Sequence, residues 1–172
     1  IKGLGMQKKV LSETALYYGD VSMPKHFEID RNELSHHILH STFNGKKVLF
    51  TRTTDKLSTY IIEHINLKYG LKLIGKEIRG NIYTPLQVSL PLLNTDPADL
   101  RNSPDYTLLY GVRVDKCFVR IYYDDNRRKG RSWDIELKNN EFIMFPSTNM
   151  YHITNNQRDS LNFVQTMTYE LA

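Results

Sequence analysis

The sequence contains little that would cross-link the chain or anchor it in a membrane. It has one cysteine, Cys117, in 172 residues, which excludes an internal disulfide framework and a zinc site built from cysteines. No apolar run reaches the roughly 18 residues that a transmembrane helix needs. The first 19 residues contain no long apolar core before a small-residue cleavage site. We therefore expect no secretory signal, no membrane partner and a cytoplasmic protein.

The sequence also has no large excess of positive or negative charge. The chain has 23 basic and 19 acidic residues, a net charge of +4. The densest basic stretch, 127–131, follows two aspartates. A solvated turn explains this mixture better than a phosphate-binding patch, so we do not expect a nucleic-acid partner. With 40% apolar and 24% charged residues, the composition predicts one globular domain over residues 1–172.

Helical signals are concentrated in the first third of the chain. Asp30 followed by Glu33 fits a capping box, and Leu34 and Ile38 follow at helical spacing. A second helix is predicted by apolar residues that recur at three and four positions and by a glycine suited to its C-terminal end: Leu57, Tyr60, Ile61, Ile65 and Gly70. Residues 1–70 are therefore predicted to form a helical support segment.

The remainder of the chain has the pattern of strands separated by turns. Runs rich in β-branched and aromatic residues predict strands at 71–78, 82–93, 106–114, 117–123, 133–137, 141–145 and 161–171. Seven or eight short strands with turn signals between them are typical of a sandwich or a jelly roll. The expected fold class is mainly β with N-terminal helices (α+β), with a jelly-roll core over 71–172.

The residues that could carry chemistry lie late in the chain. One predicted strand ends in Phe-Pro-Ser, and His152 follows shortly after. A histidine just beyond a strand end can point into the mouth of a barrel and ligate a metal through one ring nitrogen. A structural or surface histidine is the alternative for this position. Asp96, which precedes a proline, has a turn-forming alternative, and Arg158 has the alternative of a solvated loop residue.

Several short segments together resemble a known family. Residues 141–147, His152, 155–156 and 160–163, with 106–110 before them, are similar to the C-terminal half of 2-oxoglutarate/Fe(II)-dependent dioxygenases. The branch that they resemble is the prolyl-4-hydroxylase-like one, common in phage and marine microbial sequences. The resemblance spans roughly residues 83–171. It implies a double-stranded β-helix, which is a jelly roll, and a non-haem iron oxidoreductase.

The resemblance also implies a metal site. The family holds Fe(II) with a His-X-Asp/Glu motif and a distal histidine, which leaves positions open for 2-oxoglutarate and oxygen. The matching positions here are Asn94, Asp96 and His152. Asp96 matches the carboxylate and His152 the distal histidine, whereas Asn94 stands in the place of the first histidine.

The same resemblance implies a cosubstrate site for 2-oxoglutarate. Arg158 is the base nearest to the position that binds the 2-oxoglutarate carboxylate in the family, and Thr107 and Tyr110 match positions that line its pocket. The implied function is hydroxylation of an unidentified small-molecule or peptide substrate. One alternative is a catalytically degenerate jelly-roll module for binding or assembly, with the basic loop 127–131 as its contact surface. Another is a cupin-like binder, which would need several histidines that this strand region lacks.

Overall fold

The computed structural model describes residues 5–11, 13–45, 51–124 and 131–172. In chain order they form β1 (Tyr17–Asp20), α1 (Arg31–Phe43), α2 (Arg52–Tyr69), β2 (Leu73–Tyr83), β3 (Tyr106–Arg113), β4 (Cys117–Asp124), β5 (Arg131–Leu137), β6 (Glu141–Pro146), β7 (Tyr151–Asn155) and β8 (Asn162–Leu171). Of the basic loop 127–131, only Arg131 belongs to the described residues. No helix among the described residues is long and apolar enough to cross a membrane.

Local signals at the helix ends explain where both helices lie. The Asp30 carboxylate accepts a hydrogen bond from the Glu33 backbone N–H at 3.0 Å, as the capping pattern predicts. α2 begins with a capping box between Thr51 and Thr54. It ends at Gly70, whose φ of 69° is a left-handed conformation that favours glycine. The two predicted helices are confirmed.

The strands form two antiparallel sheets. The five-stranded sheet has the order β1-β6-β3-β8-β2, and the three-stranded sheet has the order β5-β4-β7. A segment before β3 runs along the free edge of β7, with isolated bridges from Val88 to Thr154 and from Leu92 to Tyr151. The chain crosses between the two sheets repeatedly from β3 to β8, and the predicted jelly roll with N-terminal helices is confirmed.

One hydrophobic core lies between the helices and the five-stranded sheet. Alternate residues of a strand point to opposite faces, so Leu108 and Tyr110 of β3 face the helices whereas Leu109 faces the other sheet. Each fully buried aliphatic side chain contributes about 1.5–3 kcal/mol. Members of this first core include Leu34, Ile38, Leu57, Ile61, Leu108, Tyr110 and Met167.

A second core lies between the two sheets and is the interior of the barrel. It is formed by the inward-facing apolar residues of both sheets. They include Leu109, Val119, Ile121, Ile143, Phe145, Ile153 and Val164. The polar residues that share these inward positions toward one end of the barrel form the candidate site described below.

Three details differ from the predicted strands. β2 continues through Gly80, so one strand lies where two were predicted. A Cβ at Gly80 would lie 2.6 Å from Cγ1 of Ile38, and the glycine therefore allows α1 to pack closely on the sheet. β1 and β7 were not predicted as strands. Both are short, with four and five residues, and β1 lies within the segment predicted to be helical.

Candidate functional site

The barrel mouth is the end of the barrel where β6 ends and β7 begins. The pairing register brings Thr107 of β3 beside both Phe145 of β6 and Thr168 of β8, and it brings Ile121 of β4 beside Tyr151 of β7. The Phe145 and Tyr151 rings contact each other edge to face with centroids 5.1 Å apart. Inward-facing side chains from both sheets therefore converge at this end.

A group of five polar side chains, here called the mouth cluster, occupies this end: Arg79, Asn94, Thr107, Ser147 and Tyr151. The Asn94 amide donates to the Thr107 hydroxyl at 3.1 Å and to the Tyr151 hydroxyl at 3.3 Å. Arg79 donates to the Asn94 carbonyl oxygen. The Thr107 and Ser147 hydroxyls lie 2.8 Å apart. Both N–H groups and the oxygen of the Asn94 side chain are thus engaged by protein partners.

The local pairing of the chain explains why Asn94 and Tyr151 meet. Leu92 and Tyr151 exchange two backbone hydrogen bonds of 2.8 and 3.0 Å, which hold the segment before β3 against the start of β7. Asn94 follows Leu92 by two residues and therefore lies beside the inward face of Tyr151. The contact between the two side chains is a consequence of this strand register.

The mouth cluster contains a single formal charge. Burial raises the pKa of the Tyr151 phenol, and the hydrogen bond from Asn94 and the Arg79 guanidinium oppose that rise. The phenol is therefore neutral at physiological pH, which leaves Arg79 as the charged member. The Arg79 Nε lies 3.7 Å from a Glu77 carboxylate oxygen, at ion-pair distance but too far for a hydrogen bond.

Solvent does not reach the atoms at the edge of the mouth cluster. Three buried atoms there have no hydrogen-bond partner within the described residues: Nε of Arg79, Oγ1 of Thr95 and Oγ1 of Thr168. Thr168 pairs directly with Thr107, and Thr95 follows Asn94 in the chain. A buried polar atom without a partner costs about 1–3 kcal/mol, so the described residues leave part of the hydrogen-bonding capacity at this end of the barrel unfilled.

His152 lies on the opposite face of β7 from the mouth cluster. Tyr151, Ile153 and Asn155 are buried inside the barrel, whereas the intervening His152 is half-buried on the outer face of the three-stranded sheet. Its Nδ1–H donates to the Ser89 carbonyl at 3.0 Å, and its ring contacts Tyr122 edge to face at 5.3 Å. The structure does not bring the imidazole of His152 to Asn94.

Asp96 lies in an exposed turn that its own side chain stabilises. A carboxylate oxygen of Asp96 accepts a hydrogen bond from the Ala98 backbone N–H at 2.9 Å, and the Asp96 backbone N–H donates to the Ser103 hydroxyl at 2.8 Å. These contacts are those of the turn-forming alternative for an aspartate before proline. Asp96 and His152 thus face different surroundings, one in this turn and one on the outer sheet face.

The residues proposed for 2-oxoglutarate are also divided between different surroundings. Thr107 belongs to the mouth cluster. Tyr110 faces the helices, where it is buried and its hydroxyl donates to the Asn140 side-chain oxygen at 2.6 Å. Arg158 is exposed in the connection between β7 and β8. Only Thr107 of the three lies at the barrel mouth.

The described residues do not fit an iron site of the two-histidine, one-carboxylate type. No group of three or more His, Cys, Asp or Glu side chains within them could hold a metal ion, although all six histidines of the chain are described. The one side chain that the resemblance placed at the metal and that does lie at the mouth is Asn94. Its amide is occupied by Arg79, Thr107 and Tyr151.

Sequence reasoning missed Tyr151 and Arg79 as members of this site. For Tyr151 a signal was present: in the run Tyr151-His152-Ile153, tyrosine and isoleucine alternate with histidine, and period-two alternation places the apolar pair inside a barrel. For Arg79 the sequence carried no such signal. Its contact with Asn94 depends on how β2 and the segment before β3 lie in the completed barrel.

The outer face that carries His152 forms a shallow concave surface. Arg120 makes a bidentate pair with Asp134 across neighbouring strands, with distances of 2.7 and 3.0 Å. The guanidinium holds the pKa of the Asp134 carboxyl below its usual value. Both side chains are exposed, so the pair adds little stability. Tyr122, His152, Thr154 and Asn156 line the same surface.

No protein-family model and no curated protein matches the sequence. Solved structures do match the fold. A prolyl-4-hydroxylase from Pseudomonas putida is 14% identical, with a TM-score of 0.64 over 91% of this chain and 88% of that chain. A viral collagen prolyl hydroxylase from Paramecium bursaria Chlorella virus 1, solved with 2-oxoglutarate, is 13% identical, with a TM-score of 0.63 over 91% of this chain and 95% of that one.

A third structure, a prolyl hydroxylase from Trichoplax adhaerens in complex with a hypoxia inducible factor peptide fragment, is 12% identical. Its TM-score is 0.61 over 90% of this chain and 83% of that chain. The likeness in all three cases extends over almost the whole chain at low identity. The protein therefore has the fold of the 2-oxoglutarate/Fe(II) oxygenases, as the resemblance implied.

Proposed function

We propose that this protein is a binding module that uses the oxygenase fold without iron chemistry. The observation that carries the proposal is the hydrogen bond of 3.3 Å between Asn94 and Tyr151. It lies at the end of the barrel where the resemblance calls for metal ligands. An amide and a phenol that bind each other are poor substitutes for two imidazoles, which are the ligands suited to Fe(II).

Packing at the mouth cluster supports the same proposal. A metal ion with bound 2-oxoglutarate needs open coordination positions and space beside them. Here Thr107 and Tyr151 are buried, and solvent does not reach Oγ1 of Thr168. Jelly rolls serve many non-catalytic purposes, so this fold is compatible with a protein that binds a ligand and does not transform it.

An anaerobic titration with Fe(II) and 2-oxoglutarate tests the proposal. Iron-bound 2-oxoglutarate gives a weak visible charge-transfer band, and we expect no such band with this protein at millimolar ligand. The Pseudomonas putida prolyl-4-hydroxylase, titrated in the same buffer, is the positive control for the band. A band in the wild-type protein contradicts the proposal, and its loss in His152→Ala would identify the His152 imidazole as an iron ligand.

The second candidate is a 2-oxoglutarate/Fe(II) dioxygenase that hydroxylates a small molecule or a peptide. The observation that favours it is the likeness of the whole chain to prolyl hydroxylases, one of which was solved with 2-oxoglutarate and one with a peptide. This candidate requires Asp96 to leave its turn and His152 to leave the outer face of the sheet, so that both side chains join Asn94 at the barrel mouth. The positive outcome of the titration is the result that supports it.

A further inference from the structure

A second concavity, here called the mouth pocket, is lined by Phe145, whose ring contacts Tyr151 of the mouth cluster. Its volume is about 240 Å³. Strands β4, β5 and β6 and the segment before β1 provide its walls. The residues that define it are Leu16, Ile121, Tyr123, Trp133, Phe145 and Asn149.

Trp133 and Tyr123 point toward the interior of the barrel, as core residues do, but their rings are only partly covered. Trp133 pairs with Ile121 across β4 and β5, and Ile121 is buried in the core between the sheets. Side chains of directly paired residues lie on the same face of a sheet, so Trp133 points inward. It is nevertheless 54% exposed, and the likewise inward-facing Tyr123 is 43% exposed. Large inward-facing aromatic rings that stay half exposed form the wall of a cavity.

The composition and size of the mouth pocket limit what it can hold. None of the described residues that line it is charged, which disfavours a dicarboxylate such as 2-oxoglutarate. Its volume exceeds the roughly 150 Å³ of an apolar cavity that binds benzene and is below the roughly 300–1,000 Å³ of pockets for drug-sized ligands. Aromatic walls favour stacked or edge-to-face contacts with another ring, and the Asn149 side chain supplies a hydrogen-bonding group at the rim.

We infer that the mouth pocket binds an uncharged aromatic ring that carries one polar substituent, such as a phenol. This inference rests on the proposed binding function, because it names the ligand class of a metal-free module. The ring could belong to a free small molecule or to a tyrosine side chain of a peptide. Both share the same chemistry at the pocket and differ in the bulk attached to the ring.

Trp133 makes a direct experiment possible, because it is the only tryptophan in the chain. Its single indole N–H signal in a ¹H–¹⁵N spectrum reports on the pocket without assignment of other residues. The protein is titrated with p-cresol and with N-acetyl-tyrosinamide, in EDTA so that no metal takes part. A ligand of this size is expected to bind with a Kd on the order of 1 mM. Succinate is the charged comparison and should not shift the signal.

Adjacent tyrosines provide the matched variants. Tyr123→Ala removes one wall of the pocket and should weaken p-cresol binding about two- to tenfold. Tyr122→Ala removes the same side chain from the neighbouring position, which faces the outer surface beside His152, and should leave the affinity unchanged. Binding of both probes indicates that a tyrosine side chain fits, and binding of p-cresol alone indicates a free phenol.

The inference is overturned if neither probe shifts the Trp133 signal, or if both tyrosine variants weaken binding equally. These outcomes are independent of the proposed function. A wild-type protein that shows no iron band and binds no phenol remains an iron-free module with a different ligand. A protein that shows the iron band contradicts the proposed function whatever the phenol titration yields.

Discussion

Two substitutions should convert the mouth cluster into a metal site. The Asn94 and Tyr151 side chains meet at 3.3 Å, and the backbone pairing of Leu92 with Tyr151 holds their segments together. Imidazole is a strong ligand for Ni²⁺, Zn²⁺ and Cu²⁺. We therefore expect the double variant Asn94→His/Tyr151→His to bind Ni²⁺, because it places two imidazoles on the same inward-facing surface. The wild-type protein should not bind Ni²⁺ at the mouth cluster.

The expected size of the effect follows from the contacts that change. The double variant loses the hydrogen bonds of Asn94 to Thr107 and Tyr151 and the one from Arg79, and it replaces a buried phenol by a smaller ring. At about 0.5–1.5 kcal/mol for each hydrogen bond, the metal-free variant should be about 2–4 kcal/mol less stable than the wild type. Metal at 100 times its Kd returns about 2.7 kcal/mol, which raises the Tm by about 5–10 °C for a chain of this length.

Thermal unfolding with and without Ni²⁺ measures this change, and calorimetric titration measures the affinity. The decisive control is Asn94→His alone, which keeps the native His152. With His152 on the outer face of β7, this single variant has one inward imidazole and should show little of the shift. The reasoning is refuted if the single variant gains as much as the double variant and His152→Ala removes that gain. Such a result would mean that His152 reaches the barrel mouth.

The remaining predictions concern stability. Tyr151→Ala should cost about 3–5 kcal/mol because it empties a buried aromatic site, whereas His152→Ala should cost about 0.5–1.5 kcal/mol; urea unfolding compares the two. Gly111→Ala should cost about 3 kcal/mol or more, since its Cβ would collide with the Lys138 carbonyl oxygen; the loss of Tm measures it. Burial raises the pKa of the Cys117 thiol from 9.0 to about 12, so its contribution to stability is complete below pH 9 and is lost as the pH rises toward 12. The free energy of unfolding should therefore fall less over that range in Cys117→Ala than in the wild type.

The helices and the fold class could be predicted because their signals are local. Asp30 and Gly70 act within one helical turn of the chain, and helical spacing needs no partner to be visible. The jelly roll was predicted from the number of short strands and the turns between them. β1 was missed because four residues at the edge of a sheet, paired with β6, carry too little pattern to distinguish a strand from a loop.

The residues of the site were harder to predict because the site depends on pairing between distant strands. The Arg79–Asn94 contact forms only when β2 and the segment before β3 have taken their places in the barrel, and no sequence motif predicts it. The choice between Tyr151 and His152 depended on one residue of register, and a shift of one residue moves a side chain from the interior to the outer face. Because imidazole is a common metal ligand, a histidine suggests a metal site whichever face of the strand it lies on. The alternation along β7 was the better guide, since it assigns the inward position to Tyr151.

The mouth cluster links two segments of the chain at this end of the barrel. Two segments must be held together there, the one before β3 and the start of β7, and within the described residues their backbones meet at few points beyond the bridges at Val88 and Leu92. The Asn94–Tyr151 contact adds a side-chain link at the open end, and Arg79 ties the same amide to β2. If this link replaces a metal, the double-histidine variant should be less stable than the wild type until metal is added. A variant that is as stable as the wild type without metal would show that the link contributes nothing, and that the barrel is held by its backbone pairing alone.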